Sequence, residues 1–248
     1  MEEFLAVQDP VAVALTAAIR SGDLEGLRRL LAERPGLAAA RIGDTGMSRT
    51  ALHAATDWPG HFPYGPQVVA ALIAAGADVN ARFAGPHTET PLHWAASSDD
   101  VAVLDALLDA GADIEAPGSV VDGGTPLADA VAFGRWNAAR RLVERGARQN
   151  LWQAAGLGDL GRVRALLDPG PPPDRQEVTG AFWCACHGGR RTTAAYLLER
   201  GAELNWIGYD GLTPLQAAQR SRASDVAAWL RERGALTADE VRGAEPGR

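Results

Sequence analysis

One short block recurs along the chain and limits its fold more than any other feature. Thr90-Pro91-Leu92-His93-Trp94-Ala95-Ala96 is followed at helical spacing by Leu107-Leu108 and then by Gly111-Ala112-Asp113-Ile114. Thr50-Ala51-Leu52-His53-Ala54-Ala55 leads in the same way to Leu72 and Gly76-Ala77-Asp78-Val79-Asn80. Thr125-Pro126-Leu127 leads to Leu142 and Gly146-Ala147, and Thr213-Pro214-Leu215 to Leu230 and Gly234-Ala235. Threonine before proline opens a helix, because the proline's missing N–H falls in the first turn, where no partner exists anyway. Glycine after the leucines closes a second helix, because it tolerates the left-handed conformation there. Such a unit cannot bury its apolar faces alone, so the chain must stack its copies in series.

The Thr-Pro-Leu-His and Gly-Ala-Asp-x-Asn blocks resemble the ankyrin repeat. The resemblance implies an all-α solenoid of antiparallel helix pairs with short β-hairpin-like loops, about seven repeats covering nearly the whole chain. It also implies that His53 and His93 bond backbone near the loop and fix the repeat's shape. Repeats one to four are expected over residues 1–150, repeats five to seven over 151–236, and a tail over 237–248.

Several stretches depart from the block. Asp9-Pro10 opens the first repeat, which has no neighbour before it and is expected to be a cap with a polar face from Arg20, Arg28, Arg29 and Glu33. Repeat two carries an insertion over 57–66, where three prolines and two glycines exclude regular structure. Trp58, His61, Phe62 and Tyr64 make that loop adhesive. The hairpins over 82–89 and 117–124 are longer than the family norm. Leu142 to Leu166 is only 24 residues, so repeat five reads as a second starting unit and the chain as two arrays in tandem. Asp168 to Asp174 is proline-rich and must be extended. In repeat six, Gly180 to Cys186 replaces the helix-opening block.

Composition narrows the function. A net charge of −7 argues against nucleic acid or an anionic membrane as partner. No apolar run can span a bilayer, and the acidic Met1-Glu2-Glu3-Phe4 is unlike a secretory signal, so the expected compartment is the cytoplasm. Lysine is absent, which excludes Schiff-base chemistry and fits a GC-rich, bacterial genome. Cys184 and Cys186 lie about 200° apart on a helix and cannot share a metal ion; they read as buried packing, with only His187 beside them facing outward. No phosphate loop, serine elbow or zinc spacing occurs, and no cofactor is expected.

The resemblance places partner contacts on a concave face, at hairpin tips and at the two residues after each Ala-Ala pair. That yields Asp57, Trp58, Ser97, Ser98, Phe133 and His187, with Phe83, His87, Trp206 and Tyr209 from hairpins and His61, Phe62 and Tyr64 from the insertion. The expected function is a monomeric, non-enzymatic module gripping a protein or peptide. The competing reading is a small-molecule or catalytic pocket beneath the insertion. It would use Asp129 with His61, His87 or His93, because convergent imidazoles, a carboxylate and aromatic walls are what a reactive site needs. Asp129 is the anomaly behind it. It stands where repeat three has Trp94, with Ala54, Gln153 and Cys184 as the other equivalents, and an unpaired buried carboxylate is costly. Trp94 and Gln153 are the donors expected to satisfy it.

Overall fold

A computed structural model describes residues 3–168 and 174–244. The extended segment expected between Asp168 and Asp174, and residues 245–248 of the expected tail, lie outside them. The chain divides into two compact units, Met1–Ala147 and Arg148–Arg248.

The first unit holds four helix pairs among the described residues: α1 (Pro10–Ser21) with α2 (Leu24–Glu33), α3 (Ala51–Thr56) with α4 (Gly65–Ala74), α5 (Pro91–Ser97) with α6 (Val101–Asp109), and α7 (Pro126–Ala132) with α8 (Trp136–Glu144). First helices pack on first helices, α1 on α3, α3 on α5 and α5 on α7, while α2, α4, α6 and α8 form a parallel second row. Serial neighbour contact is what a repeated apolar face demands. The recurring leucines fill the space between rows: Leu52, Leu72, Leu92, Leu107, Leu127 and Leu142 are all fully buried.

Helix starts follow the side chains that can cap them. Asp9 accepts from Val11 N at 2.8 Å, with Pro10 next in the first turn. The insertion is shorter than expected, because α4 already begins at Gly65 with Pro66 in its first turn. Pairing of extended backbone is sparse. A three-stranded sheet joins β1 (Phe4–Leu5), parallel, to β2 (Arg41–Gly43), which pairs antiparallel with β3 (Ser48–Thr50). β1 had no signature in the sequence; it is recruited by the open edge of β2.

The second unit holds α9 (Leu151–Leu157) with α10 (Leu160–Leu167), α11 (Arg175–His187) with α12 (Arg191–Glu199), α13 (Pro214–Arg220) with α14 (Ser224–Arg231), and α15 (Ala238–Ala244). α11 packs on both α9 and α13, around fully buried Phe182. It has 13 residues where α9 and α13 have seven. Lacking a Thr-Pro signal, it starts at the Asp174 cap instead, whose side chain accepts from Gln176 N. α15 makes the first part of the expected tail helical.

Backbone approach between α9 and α11 leaves room for hydrogen only. A Cβ on Gly188 would sit 2.0 Å from the Gly156 carbonyl oxygen, which also accepts from Arg190 Nε at 3.2 Å. Gly188→Ala should therefore destabilise the second unit by roughly 1–3 kcal/mol, the usual range for overpacking. Gly243→Ala, on a helix with open space around it, should be neutral or stabilising by up to about 1 kcal/mol. Equal melting temperatures for the two variants would refute the close approach.

Candidate functional site

The site begins with a latch. In the first unit, Thr50 N donates to His53 Nδ1 at 3.3 Å and Thr90 N donates to His93 Nδ1 at 3.1 Å. With Nδ1 accepting, the ring proton belongs on Nε2. That proton is donated one repeat onward, from His53 to Glu89 O at 3.1 Å and from His93 to Gly124 O at 3.3 Å. Each imidazole thus ties its own helix start to the next repeat's loop. Burial holds both rings neutral, lowering the pKa of His53 to about 3 and that of His93 to about 4.

The His53 latch positions Glu89, whose side chain gathers the neighbouring loops. Glu89 Oε2 accepts from Trp94 Nε1 at 2.8 Å, and Oε1 accepts from Val120 N at 3.2 Å. His87 Nδ1 lies 3.1 Å from Oε2 without hydrogen-bond alignment, and its ring stacks on Phe83 with centroids 4.5 Å apart. Behind Glu89 lies Asp129, fully buried on α7, with Ser119 Oγ donating to its Oδ1. Burial first, then the nearby Glu89, push the Asp129 carboxyl up to about 8, against the Ser119 hydrogen bond. At neutral pH its proton belongs on Oδ2, the oxygen with no donor. The result is a carboxyl beside a carboxylate, enclosed by the hairpins of repeats three and four.

The competing pocket does not assemble as expected. His93 is fully buried as a latch. His61 is exposed and lines a 440 Å³ cleft with Phe62, Tyr64 and Asp100, and its backbone N donates to Asp100 Oδ2 at 2.7 Å. Only His87 and Asp129 converge, and they do so through Glu89. Trp94 serves Glu89 rather than Asp129. Gln153 belongs to another register: it occupies the His93 position in a capping box with Asn150, donating and accepting at 3.0 Å. Glu89 and Ser119 were not anticipated, since nothing local marks either residue; Asp129 itself was the only sequence signal that a buried polar partner had to exist.

The expected partner contacts divide by burial. Phe83, Ser98 and His187 are buried, which corrects their assignment as exposed contacts. Phe83 is held between the rings of His87 and Trp94, and Ser98 Oγ donates to Thr56 O at 3.2 Å. His187 Nδ1 meets Ser221 Oγ at 2.8 Å, and its ring lies against Trp183. Trp58, Tyr64, Phe133 and Tyr209 are exposed, Phe62 and Trp206 half-buried, and Ser97 bonds its hydroxyl to Trp94 O at 3.0 Å. Asp57 is held by Arg20 and Arg49 at 2.8 and 2.6 Å. Cys184 and Cys186 are buried in α11, and burial raises the Cys184 thiol to about 12 and Cys186 well above its ordinary range, so neither is a ready nucleophile.

A family model described as ankyrin repeats in three copies matches residues 63–153 and again 151–239, well over half of the chain. The chain belongs to the ankyrin repeat family. An ankyrin repeat and KH domain-containing protein of Caenorhabditis briggsae is 28% identical over 179 residues, which is 68% of this chain and 7% of that protein. A transient receptor potential cation channel subfamily A member 1 homolog of Caenorhabditis elegans is 36% identical over 118 residues, 44% of this chain and 10% of that protein. The chain thus spans a tenth or less of these curated relatives. The crystal structure of the human ASB11 ankyrin repeat domain matches with a TM-score of 0.52 at 21% identity, over 87% of this chain and 96% of that one. That likeness concerns the fold alone. Ankyrin repeats are in general protein-interaction modules. No helix among the described residues is long and apolar enough to cross a membrane.

The ankyrin latch and the carboxyl pair give opposite pH dependences. The unfolded chain protonates His53 and His93 near pH 6.5 and the fold does not, so their contribution is complete above 6.5 and is lost as pH falls towards about 4 and 3. Asp129 keeps its proton in the fold to about pH 8 but loses it near 3.8 when unfolded, so its contribution is lost as pH rises through that window. Asp129→Asn copies the protonated carboxyl. Between pH 5 and 8 the variant should gain stability relative to the parent by up to about 1.4 kcal/mol per pH unit, the slope of one proton. Parallel curves from denaturant titrations at several pH values would show that Asp129 is ionised in the fold.

Proposed function

We propose that this chain is a non-enzymatic binding module that grips a protein or peptide across the ends of α3, α5 and α7, on what the family would make its concave face. The observation that carries the reading is a pair of exposed rings. Trp58 is 65% and Phe133 46% exposed, each at the end of a first helix, with Ser97 at the end of the helix between them. Large rings held in water by a rigid scaffold are the usual anchors of an interface. The carboxyl pair, by contrast, supports structure rather than turnover. Asp129 is wholly buried and committed to Ser119, so a substrate would have to displace the hairpins to reach it.

Trp58→Ala and Phe133→Ala should each cost the fold no more than about 1 kcal/mol, the scale of an exposed cation–π contact, and weaken partner capture from the native host by about 2 kcal/mol or more, the scale of an anchor ring. Capture that survives both changes but is lost on Tyr209→Ala would move the interface to the second unit and overturn the assignment.

A further inference from the structure

Beside Trp58 the fold holds one guanidinium without a carboxylate to pair with it among the described residues. Arg135, just after α7, donates its Nε to Ser97 O at 2.8 Å and lays its guanidinium over the Trp58 ring, 5.2 Å from the centroid. One side chain from repeat four thus crosses repeat three to reach repeat two. Among the described residues no carboxylate pairs with it, so the Nη1–Nη2 edge of the fork has no acceptor there. Beside it, Asp57 Oδ2 faces both Arg20 and Arg49, one carboxylate against two guanidiniums, and Arg20 also lies over the Phe62 ring at 5.8 Å. Asp57 balances Arg20 and Arg49, and Asp99 and Asp100 stand in the neighbouring turn, held by Ala138 N and His61 N, so Arg135 is the guanidinium of this patch that lacks a carboxylate partner among the described residues. It is also preorganised, because a guanidinium fixed by a carbonyl and a ring loses little freedom on meeting an anion.

The geometry points to a partner whose docking segment carries Asp or Glu side chains next to an aromatic or large aliphatic residue. This deepens, and rests on, the binding-module reading. A carboxylate fits the open edge of Arg135 through two parallel hydrogen bonds, while the neighbouring apolar side chain covers Trp58 and Phe133. A single open fork favours a carboxylate over a phosphate group, because one guanidinium edge matches two carboxylate oxygens, whereas a phosphate dianion needs several donors gathered at a point. Rings beside forks also select for a mixed acidic and apolar segment over a purely acidic one, which would leave Trp58 and Phe133 wet.

Panning a random peptide library against the full chain tests this, followed by fluorescence polarisation with the enriched peptides. The expected motif is Asp or Glu beside an aromatic or large aliphatic residue. Replacing that acid by its amide in the peptide, or Arg135→Gln in the protein, should each weaken binding about ten- to a hundredfold, the scale of a charge-assisted hydrogen bond. The two changes together should cost little more than either alone. Arg135→Lys, which keeps the charge without the fork, should fall between, and affinity should drop with added salt; both readouts remain usable if Arg135→Gln unfolds. Enriched peptides that need Trp58 and Phe133 but carry no coupled acid would overturn the acidic partner and leave the binding module standing. Phosphoserine binding more tightly than glutamate at the same position would overturn the carboxylate. Peptides indifferent to Trp58 and Phe133, or no enrichment at all, would count against both readings.

Discussion

The neutral imidazole holding two repeats together is the interaction on which the first unit depends. His53 and His93 are each bonded through both nitrogens, one to their own helix start and one to the following loop. Protonation would turn Nδ1 from acceptor to donor and set it against a backbone N–H. Their low pKa values are therefore the electrostatic form of the same constraint. The second unit replaces the ring by an amide. Gln153 and Gln216 accept from the N–H groups of Asn150 and Thr213, and Gln216 also accepts from Ala238 N at 2.9 Å. An amide does not titrate, so the acid-sensitive latch belongs to the first unit alone.

Asp129 becomes intelligible once the latch is in place. His53 fixes the Glu89 backbone, and the Glu89 side chain then collects Trp94, His87 and Val120. A second ionised carboxylate beside it would face a like charge in a dry space, whereas a protonated one removes the repulsion. The long hairpin over 117–124 supplies Ser119 as a donor to Asp129 and Val120 N as a donor to Glu89. The extra residues in the two hairpins are thus the material of a buried polar network, in which every missing partner would be costly.

How much of this was legible in the sequence follows the range of the interactions. Caps are local: Asp9 and Thr90 announce helix starts because the side chain and the N–H it serves lie within three residues. Leucine spacing gave the helix rows for the same reason. The burial of Phe83, Ser98 and His187 is decided by Trp94, Thr56 and Ser221, residues one repeat away or across a hairpin. No local rule reaches that far. The misplacement of Gln153 has another cause: without proline after Asn150, the helix start was ambiguous by one residue, and a one-residue error exchanges the latch position for the buried one.

The absence of lysine gives the exposed surface its character. Every cation here is a planar fork that pairs bidentately and stacks on rings, and the first unit uses that geometry extensively inside itself. Arg141 and Arg145 both hold Asp105, Arg34 holds Glu3, and Arg20 and Arg49 hold Asp57. Such pairs neutralise part of the cationic surface from within. Arg135 has other anchors, a carbonyl oxygen and an indole face, which orient the group without cancelling its charge. A guanidinium held rigid and left charged beside exposed rings keeps an open hydrogen-bonding edge at little entropic cost, which is the property an anionic side chain of a partner would use.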